Sequence, residues 1–301
     1  MLKMYHQRLH RGDSPELWEE NWKDNNFEEA LRFCESDPLR PLFERYARPG
    51  TTMLEGGCGQ GHYVTYYASR GVRVVGLDFA QTTLAGIRAR YGDLMLCAGD
   101  VAALPFRDEA FDLYYSGGVV EHFETGAEPA LRAARRVLRP DGVLLISVPY
   151  LNPLRRLLTP MMKDWQRVSR ARNDNSDNGS SGVFFQYAYT AREFTSILDE
   201  CGLKVIEKQP YAILWGLYDL PLLQRAMDKL VPPNKPPAAS AAGAAGSTSN
   251  GNSQVGRSAL TNVVKSLVLS ENVNTPVAGL AVRFLRWSSA NMMMYVCTRK
   301  T

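Results

Sequence analysis

A glycine-rich turn is the segment of this sequence with the clearest capacity for chemistry. It spans residues 55–61, EGGCGQG, and follows a short apolar run that begins at Thr51. Glycines let the backbone turn tightly and approach a ligand closely, and a helix that follows such a turn offers backbone N–H groups. Because the acid Glu55 stands beside the turn, the pattern favours a ligand that carries a positive charge.

Two common phosphate-binding motifs do not fit this turn. A P-loop requires GxxxxGK[ST], and the turn contains no lysine. A dinucleotide fingerprint counted from Gly57 requires Gly or Ala at position 62, where this chain has His62. Glu55 would also repel a pyrophosphate. A nicotinamide oxidoreductase is therefore disfavoured.

Two further acids follow the next apolar runs. Asp78 ends the second predicted strand, and Asp100 comes directly after the third. A carboxylate at the position of Asp78 can accept two hydrogen bonds from a diol. The alternative interpretations are that Asp78 caps the next helix and that Asp100 is only a turn residue.

An acid and a histidine, Glu121-His122, lie just past the fourth predicted strand, at the edge where ligands bind in parallel sheets. Imidazole side chains titrate near neutral pH, which makes His122 the candidate catalytic residue, as a general base. A hydrogen-bonded structural histidine beneath the active-site floor is the alternative, and the sequence leaves both open.

These residues lie at the turns of an alternating strand and helix pattern over residues 50–150. Apolar runs predict five strands, and segments closed by Gly71, Gly92 and Pro140 predict the helices between them. Strands that alternate with helices of about ten residues imply right-handed βαβ units. The sheet is therefore predicted to be parallel and buried on both faces.

The flanking regions are assigned from helix signals and composition. Residues 1–49 are predicted to form an N-terminal helical cap, since Ser14 precedes a proline at a first helical position. Residues 151–186, first basic and then polar, are predicted to be a lid or substrate insertion. Residues 187–301 are expected to complete the sheet. A Pro/Ala/Gly/Ser insert at about 232–258 within them is predicted to be disordered, because it cannot bury enough apolar surface.

Four spaced motifs together resemble those of the class I S-adenosylmethionine-dependent methyltransferases. They are an [ED]xGxGxG turn after the first strand, an acid ending the second, GD after the third, and FDLxxS…EH at the fourth. The resemblance covers residues 50–150 well and 187–208 and 291–298 more loosely, and it is closest to small-molecule enzymes of the quinone-biosynthesis type. It implies a doubly wound, Rossmann-like α/β fold. The seven-stranded sheet would be mostly parallel, with an antiparallel last strand.

The resemblance also implies that S-adenosylmethionine is the cofactor and which residues hold it. Glu55 and the glycines of the turn match the residues at its amino-acid end, and Asp78 matches the acid that bridges the ribose hydroxyls. Asp100 and Val101 match the adenine contacts, and Ser116 lies under the methionine portion. The matched cofactor-binding residues are Glu55, Gly57, Gly59, Gly61, Asp78, Phe79, Asp100, Val101 and Ser116. Scattered cysteines and histidines predict no metal site.

The sequence is less specific about which residues would bind the methyl acceptor. A basic set of side chains could meet a carboxylate or phosphate of the acceptor, or could form a solvated basic face. Two apolar segments, 215–230 and 277–287, could lie on a membrane interface or cover a lipid tail, or could pack against the sheet. Arg283 and Arg286 belong to the second segment. The basic set consists of Arg155, Arg156, Lys163, Arg167, Arg170 and Arg172.

Composition and charge limit the classes of partner that we expect the protein to bind. The sequence has no apolar run of about 18 residues, and its net charge of +4 is not gathered into the dense basic stripe of a nucleic-acid binder. We expect a small-molecule acceptor, no nucleic acid, and a cytoplasmic location, with peripheral membrane or lipid contact as a variant of it. The alternatives are a protein or nucleic-acid methyltransferase and a non-catalytic S-adenosylmethionine-binding module. The sequence does not indicate an oligomeric state.

Overall fold

The computed structural model describes residues 1–6, 14–22, 27–161, 165–167, 183–217 and 276–300. The strands are β1 (Leu2–His6), β2 (Thr52–Gly56), β3 (Arg73–Asp78), β4 (Met95–Ala98), β5 (Phe111–Gly117), β6 (Leu138–Pro149), β7 (Trp165–Arg167), β8 (Val183–Ala188), β9 (Leu203–Tyr211) and β10 (Met292–Arg299). The helices are α1 (Pro15–Trp22), α2 (Phe27–Ser36), α3 (Arg40–Tyr46), α4 (His62–Ala68), α5 (Gln81–Tyr91), α6 (Glu128–Val137), α7 (Pro153–Leu158), α8 (Ala191–Glu200), α9 (Ile213–Leu217) and α10 (Pro276–Ser289). Short 3-10 turns cover Val120–His122 and Thr159–Met161.

The described residues form a central seven-stranded sheet in the order β4-β3-β2-β5-β6-β10-β9. Neighbours from β4 to β6 pair in parallel, whereas β10 is antiparallel to both β6 and β9. This confirms the predicted doubly wound, Rossmann-like α/β fold with an antiparallel last strand. Because the first five strands in that order are parallel, their carboxyl ends share one edge of the sheet.

Apolar side chains cover both faces of this sheet. Successive residues of a strand point to opposite faces, so Met53 joins the core on one side and Leu54 the core on the other. Tyr114 and Tyr115 divide between the two sides in the same way. The strands are therefore buried on both faces, as the continuous apolar runs predict.

A small second sheet, in the order β7-β1-β8, was not anticipated. Its central strand is β1, in which Leu2 is fully buried and pairs with Ala188 and Arg167 on either side. Residues 2–6 are thus a strand within the predicted helical cap. A strand of five residues is too short to establish a period of two, and its pairing partners lie more than 150 residues away.

Helices fill most of the remaining N-terminal region. The helix start at Ser14 is confirmed, since its Oγ accepts from the N–H of Leu17 at 3.4 Å. The predicted end of α6 at Pro140 is wrong, because that helix ends at Val137 and β6 already begins at Leu138. Proline is tolerated there because it lies near the start of the strand.

Two helices predicted in the C-terminal half are confirmed. Thr190 and Glu193 form a capping box at the start of α8, and the apolar spacing of residues 277–285 lies in α10. The insert at 232–258 and the apolar spacing predicted from Leu260 to Val268 lie outside the described residues. Among the described helices, none is long and apolar enough to cross a membrane.

Candidate cofactor and acceptor site

The glycine turn between β2 and α4 is fastened to the end of β3. The backbone N–H groups of Gly57 and Cys58 donate to the carbonyl oxygen of Leu77, at 2.7 and 3.0 Å. The N–H of Gly59 donates to Oδ2 of Asp78 at 2.7 Å. These three donors therefore hold the turn itself. Their effect is to bring the first and second strand ends together.

Glycine is required at two positions of this turn. Gly57 has φ +77° and Gly59 has φ +49°, both in the left-handed region. A Cβ atom at Gly57 would stand 2.3 Å from Cγ2 of Val119, and one at Gly59 would stand 2.7 Å from the ring of Trp22. Larger residues at either position would therefore displace the segments that pack on the turn. Gly61, at φ +67°, is the residue from which α4 begins.

Two buried carboxyl groups, those of Glu55 and Asp78, lie beside the turn. Oδ1 of Asp78 accepts from the N–H of Ala80 at 2.9 Å, whereas Oε2 of Glu55 has no hydrogen-bond partner among the described residues. Burial raises the pKa of Asp78. Burial and, secondarily, the charge of Asp78 raise the pKa of Glu55 well above its usual value. A bound cation would stabilise both ionised forms.

The residues predicted to meet the adenine lie at the next two turns of the same edge. Phe79 is half-buried after β3, and Val101 is buried after β4. Asp100 is exposed, and its Oδ1 accepts from the N–H of Ala102 at 2.8 Å. Asp100 thus takes part in a turn, and its exposed carboxylate still has capacity for another donor. The N–H of Gly99 links this turn to the carbonyl of Asp78.

Ser116 lies at the end of β5, where the methionine portion was expected. Its side chain is buried, and its Oγ donates to the carbonyl oxygen of Gly56 at 2.9 Å. The hydroxyl proton therefore joins β5 to β2, which leaves the oxygen only an acceptor role toward a ligand.

His122 lies in the 3-10 turn that follows β5 and is buried. Its Nδ1 stands 2.8 Å from the carbonyl oxygen of Phe185. A carbonyl can only accept, so Nδ1 carries the proton and Nε2 is the basic nitrogen. The ring also contacts those of Trp18 and Phe185, at centroid distances of 4.9 and 5.0 Å. Strand β8 therefore orients the imidazole.

Helix α1 covers this edge, and its role was missed in the sequence. Trp18 contacts His122, while the ring of Trp22 lies over Gly59. The side-chain amide of Gln60 donates to the carbonyl oxygen of Trp22 at 2.7 Å. Two tryptophans four residues apart share a helix face, which is the signal that could have identified the covering helix.

One of the predicted acceptor-facing arginines serves the fold instead. Arg155 is buried, and its guanidinium donates to the carbonyl oxygens of Tyr150 and Asn291 and to Oδ1 of Asn291. Arg155 therefore belongs neither to an acceptor contact nor to a solvated basic face, the two alternatives that the sequence left open. Arg156 is exposed. Lys163, Arg170 and Arg172 lie outside the described residues, and Arg167 ends β7.

Comparison with known proteins agrees with this geometry. Residues 54–146 match the family model described as a methyltransferase domain. A "Probable S-adenosylmethionine-dependent methyltransferase" of Mycolicibacterium smegmatis is 39% identical over 110 residues, which cover 36% of this chain and 42% of that protein. A malonyl-[acyl-carrier protein] O-methyltransferase of Serratia marcescens is 33% identical over 130 residues, covering 43% and 49%. The chain thus spans less than half of either relative.

Two further matches are a human protein and a solved archaeal structure. A "Probable tRNA methyltransferase 9B" of Homo sapiens is 37% identical over 108 residues, which cover 35% of this chain and 23% of that protein. A solved complex of the Haloferax volcanii Trm112 methyltransferase activator with a methyltransferase shares the fold. Its TM-score is 0.54 at 15% identity, over 94% of this chain and 98% of that one. The family match and the sheet order together identify residues 54–146 as a methyltransferase domain of the class I, S-adenosylmethionine-dependent type.

Proposed function

We propose that the protein transfers the methyl group of S-adenosylmethionine to a small-molecule acceptor. The observation that carries this proposal is the pair of buried carboxyl groups at the glycine turn, those of Glu55 and Asp78. Buried carboxyl groups with raised pKa values are costly unless a ligand supplies the missing charge or donors. An ammonium and a sulfonium supply the charge, and ribose hydroxyls supply the donors.

The described residues fit this cofactor. Glu55, with its unpartnered Oε2, would hold the ammonium group, and Asp78 would hold the ribose hydroxyls. Phe79 and Val101 would enclose the adenine, and Asp100 would accept from its amino group. When bound, the cofactor supplies a methyl group on a sulfonium that is activated for direct displacement. The protein contributes mainly by aligning the acceptor with that group, which is a proximity effect.

His122 is the proposed general base for acceptors that must lose a proton. Its Nδ1–H is fixed by Phe185, so that its basic Nε2 is oriented for proton transfer. Glu121, beside it, is fully buried, and neither carboxyl oxygen has a hydrogen-bond partner among the described residues. Burial raises the pKa of Glu121 to about 8, so the group is mostly neutral at pH 7. A carboxylic acid that keeps its proton cannot act as a base, which leaves His122 in that role.

A small acceptor with an anionic or lipid-like group suits the surroundings of the site. The Serratia marcescens relative is named for a malonyl acceptor, which carries a carboxylate, and this supports an anionic acceptor here. A tRNA acceptor is the second candidate, since the human relative is named a tRNA methyltransferase. The acceptor classes are separated by a screen with labelled S-adenosylmethionine that includes small carboxylates, acyl conjugates, quinol precursors and tRNA. Absence of transfer to all of them would favour the non-catalytic binding module.

Asp78→Ala should weaken cofactor binding. Wild-type protein is expected to bind S-adenosylhomocysteine with micromolar affinity, on the order of −8 kcal/mol by calorimetry. Loss of charged hydrogen bonds to the ribose should cost about 1–3 kcal/mol. Asp108→Ala is the matched control, because Asp108 is exposed and pairs only with Arg136 among the described contacts. Tight binding of NAD with none of S-adenosylhomocysteine would refute the assignment.

Glu121→Gln should make the protein more stable in mildly alkaline solution. The folded state raises the pKa of Glu121 from 4.5 to about 8, so stability falls as pH rises between these values while the unfolded chain ionises. At pH values near that upper limit the variant should be more stable by on the order of 5 kcal/mol, since each pKa unit between 4.5 and about 8 is worth about 1.4 kcal/mol. Urea unfolding across this pH range measures it, with Glu20→Gln on the exposed side of α1 as the control. Parallel stability profiles for wild type and variant would contradict the buried neutral acid.

His122→Asn tests the proposed base once the screen has found an acceptor. Asparagine retains a donor near the Nδ1 position but lacks the basic nitrogen, so kcat should fall by roughly 10²–10⁴ with little change in affinity for S-adenosylhomocysteine. The acidic limb of the rate–pH profile should also disappear. An unchanged rate and profile would assign His122 a structural role and would indicate an acceptor that needs no deprotonation.

A further inference from the structure

Exposed apolar side chains are concentrated on one part of the described surface. Seven large apolar residues are exposed in the described part of the chain, and five of these belong to α7, the 3-10 turn that follows it, and α10. Single exposed apolar residues are normal on a protein surface, but a cluster indicates an interaction site. The five are Leu157, Met161, Leu280, Phe284 and Trp287, and together they define the α7–α10 surface.

The spacing of three of these residues gives α10 an apolar stripe. Leu280, Phe284 and Trp287 are separated by four and three residues, which places them on one face of α10. Phe284 and Trp287 are in ring contact, with centroids 5.8 Å apart. Their exposed fractions of 62% and 56% show that this face does not pack on the sheet.

Helices α7 and α10 are held against each other. They contact along their sides, and the side-chain amide of Asn152, at the start of α7, donates to the carbonyl oxygen of Ala290 at 2.8 Å. Arg155 donates to the carbonyl oxygen of Asn291 at 3.1 Å. The buried Arg155 therefore ties the beginning of α7 to the end of α10, so that the exposed apolar residues of the two helices belong to neighbouring elements.

The charge of this surface is of one sign. Helices α7 and α10 contain arginines but no aspartate or glutamate. Arg156 and Arg283 are exposed, and Arg286 is half-buried. A second copy of the chain would bring these like charges together, which disfavours self-association. Apolar side chains flanked by arginines complement a membrane surface with anionic lipids, where the chains insert and the guanidinium groups meet phosphates.

The surface lies next to the ligand-binding edge of the sheet. Helix α7 begins at Pro153, directly after β6 ends at Pro149, and that strand end shares the edge with the glycine turn and His122. We propose that the α7–α10 surface docks on an anionic membrane and so brings this edge close to the lipid headgroups. The docking does not depend on the proposed methyl transfer, although it would suit a lipid-like acceptor.

Vesicle flotation tests this surface with the full chain at low salt. The protein should float with vesicles of phosphatidylcholine and phosphatidylglycerol and remain unbound with phosphatidylcholine alone, and added salt should reduce the bound fraction. The double variant Phe284→Ser/Trp287→Ser should reduce partitioning by about tenfold or more, because two large apolar side chains no longer insert. Met95→Ser is the control, since Met95 is exposed on β4 at the opposite edge of the sheet.

Calorimetry with S-adenosylhomocysteine checks that each variant is folded. Wild-type protein that stays unbound with anionic vesicles would overturn the docking surface, as would a double variant that floats like wild type. A wild-type dimer that the double variant abolishes, seen by sedimentation velocity, would assign the surface to a second copy instead. Failure of wild type to bind S-adenosylhomocysteine would refute the proposed function and leave the vesicle result to stand independently.

Discussion

The candidate site depends on the hydrogen bonds that tie the glycine turn to the end of β3. Leu77 accepts two backbone N–H groups of the turn, and Asp78 accepts a third through its side chain. Parallel pairing of β2 with β3 brings the two strand ends to one edge, but it does not fix the loop beyond them. These bonds do so, whereas the strand pairing itself brings Glu55 of β2 close enough to Asp78 for their charges to interact.

Other segments then pack on the turn in the position that these bonds define. Val119 packs against Gly57 and carries the chain from β5 into the turn that holds His122. Trp22 packs against Gly59, so that α1 covers the same edge. A side chain at either glycine would push these segments away. The turn therefore sets the position of α1, which covers this edge, and of the segment that contains Glu121 and His122.

Much of this arrangement could be predicted from local patterns. Glu55, Asp78 and Asp100 each follow an apolar run, and parallel strands must bring such positions to a shared edge. The small second sheet and the buried role of Arg155 could not be predicted, because both depend on partners far along the chain. The hydrogen bonds from the turn to the carbonyl oxygen of Leu77 could not be predicted either. Every residue has a carbonyl oxygen, so the sequence does not indicate which one accepts.

In the proposed site the buried carboxyl group of Glu55 binds the ammonium group of the ligand. Binding of the ammonium group should therefore lower the pKa of Glu55 and release a proton. Calorimetry of S-adenosylhomocysteine binding, in buffers that differ in ionisation enthalpy and at several pH values from about 5 to about 8, measures this release directly. We predict a net release of protons by wild-type protein and its loss in Glu55→Gln. Binding heats that do not depend on the buffer at any pH, or a release that persists in the variant, would contradict the claim.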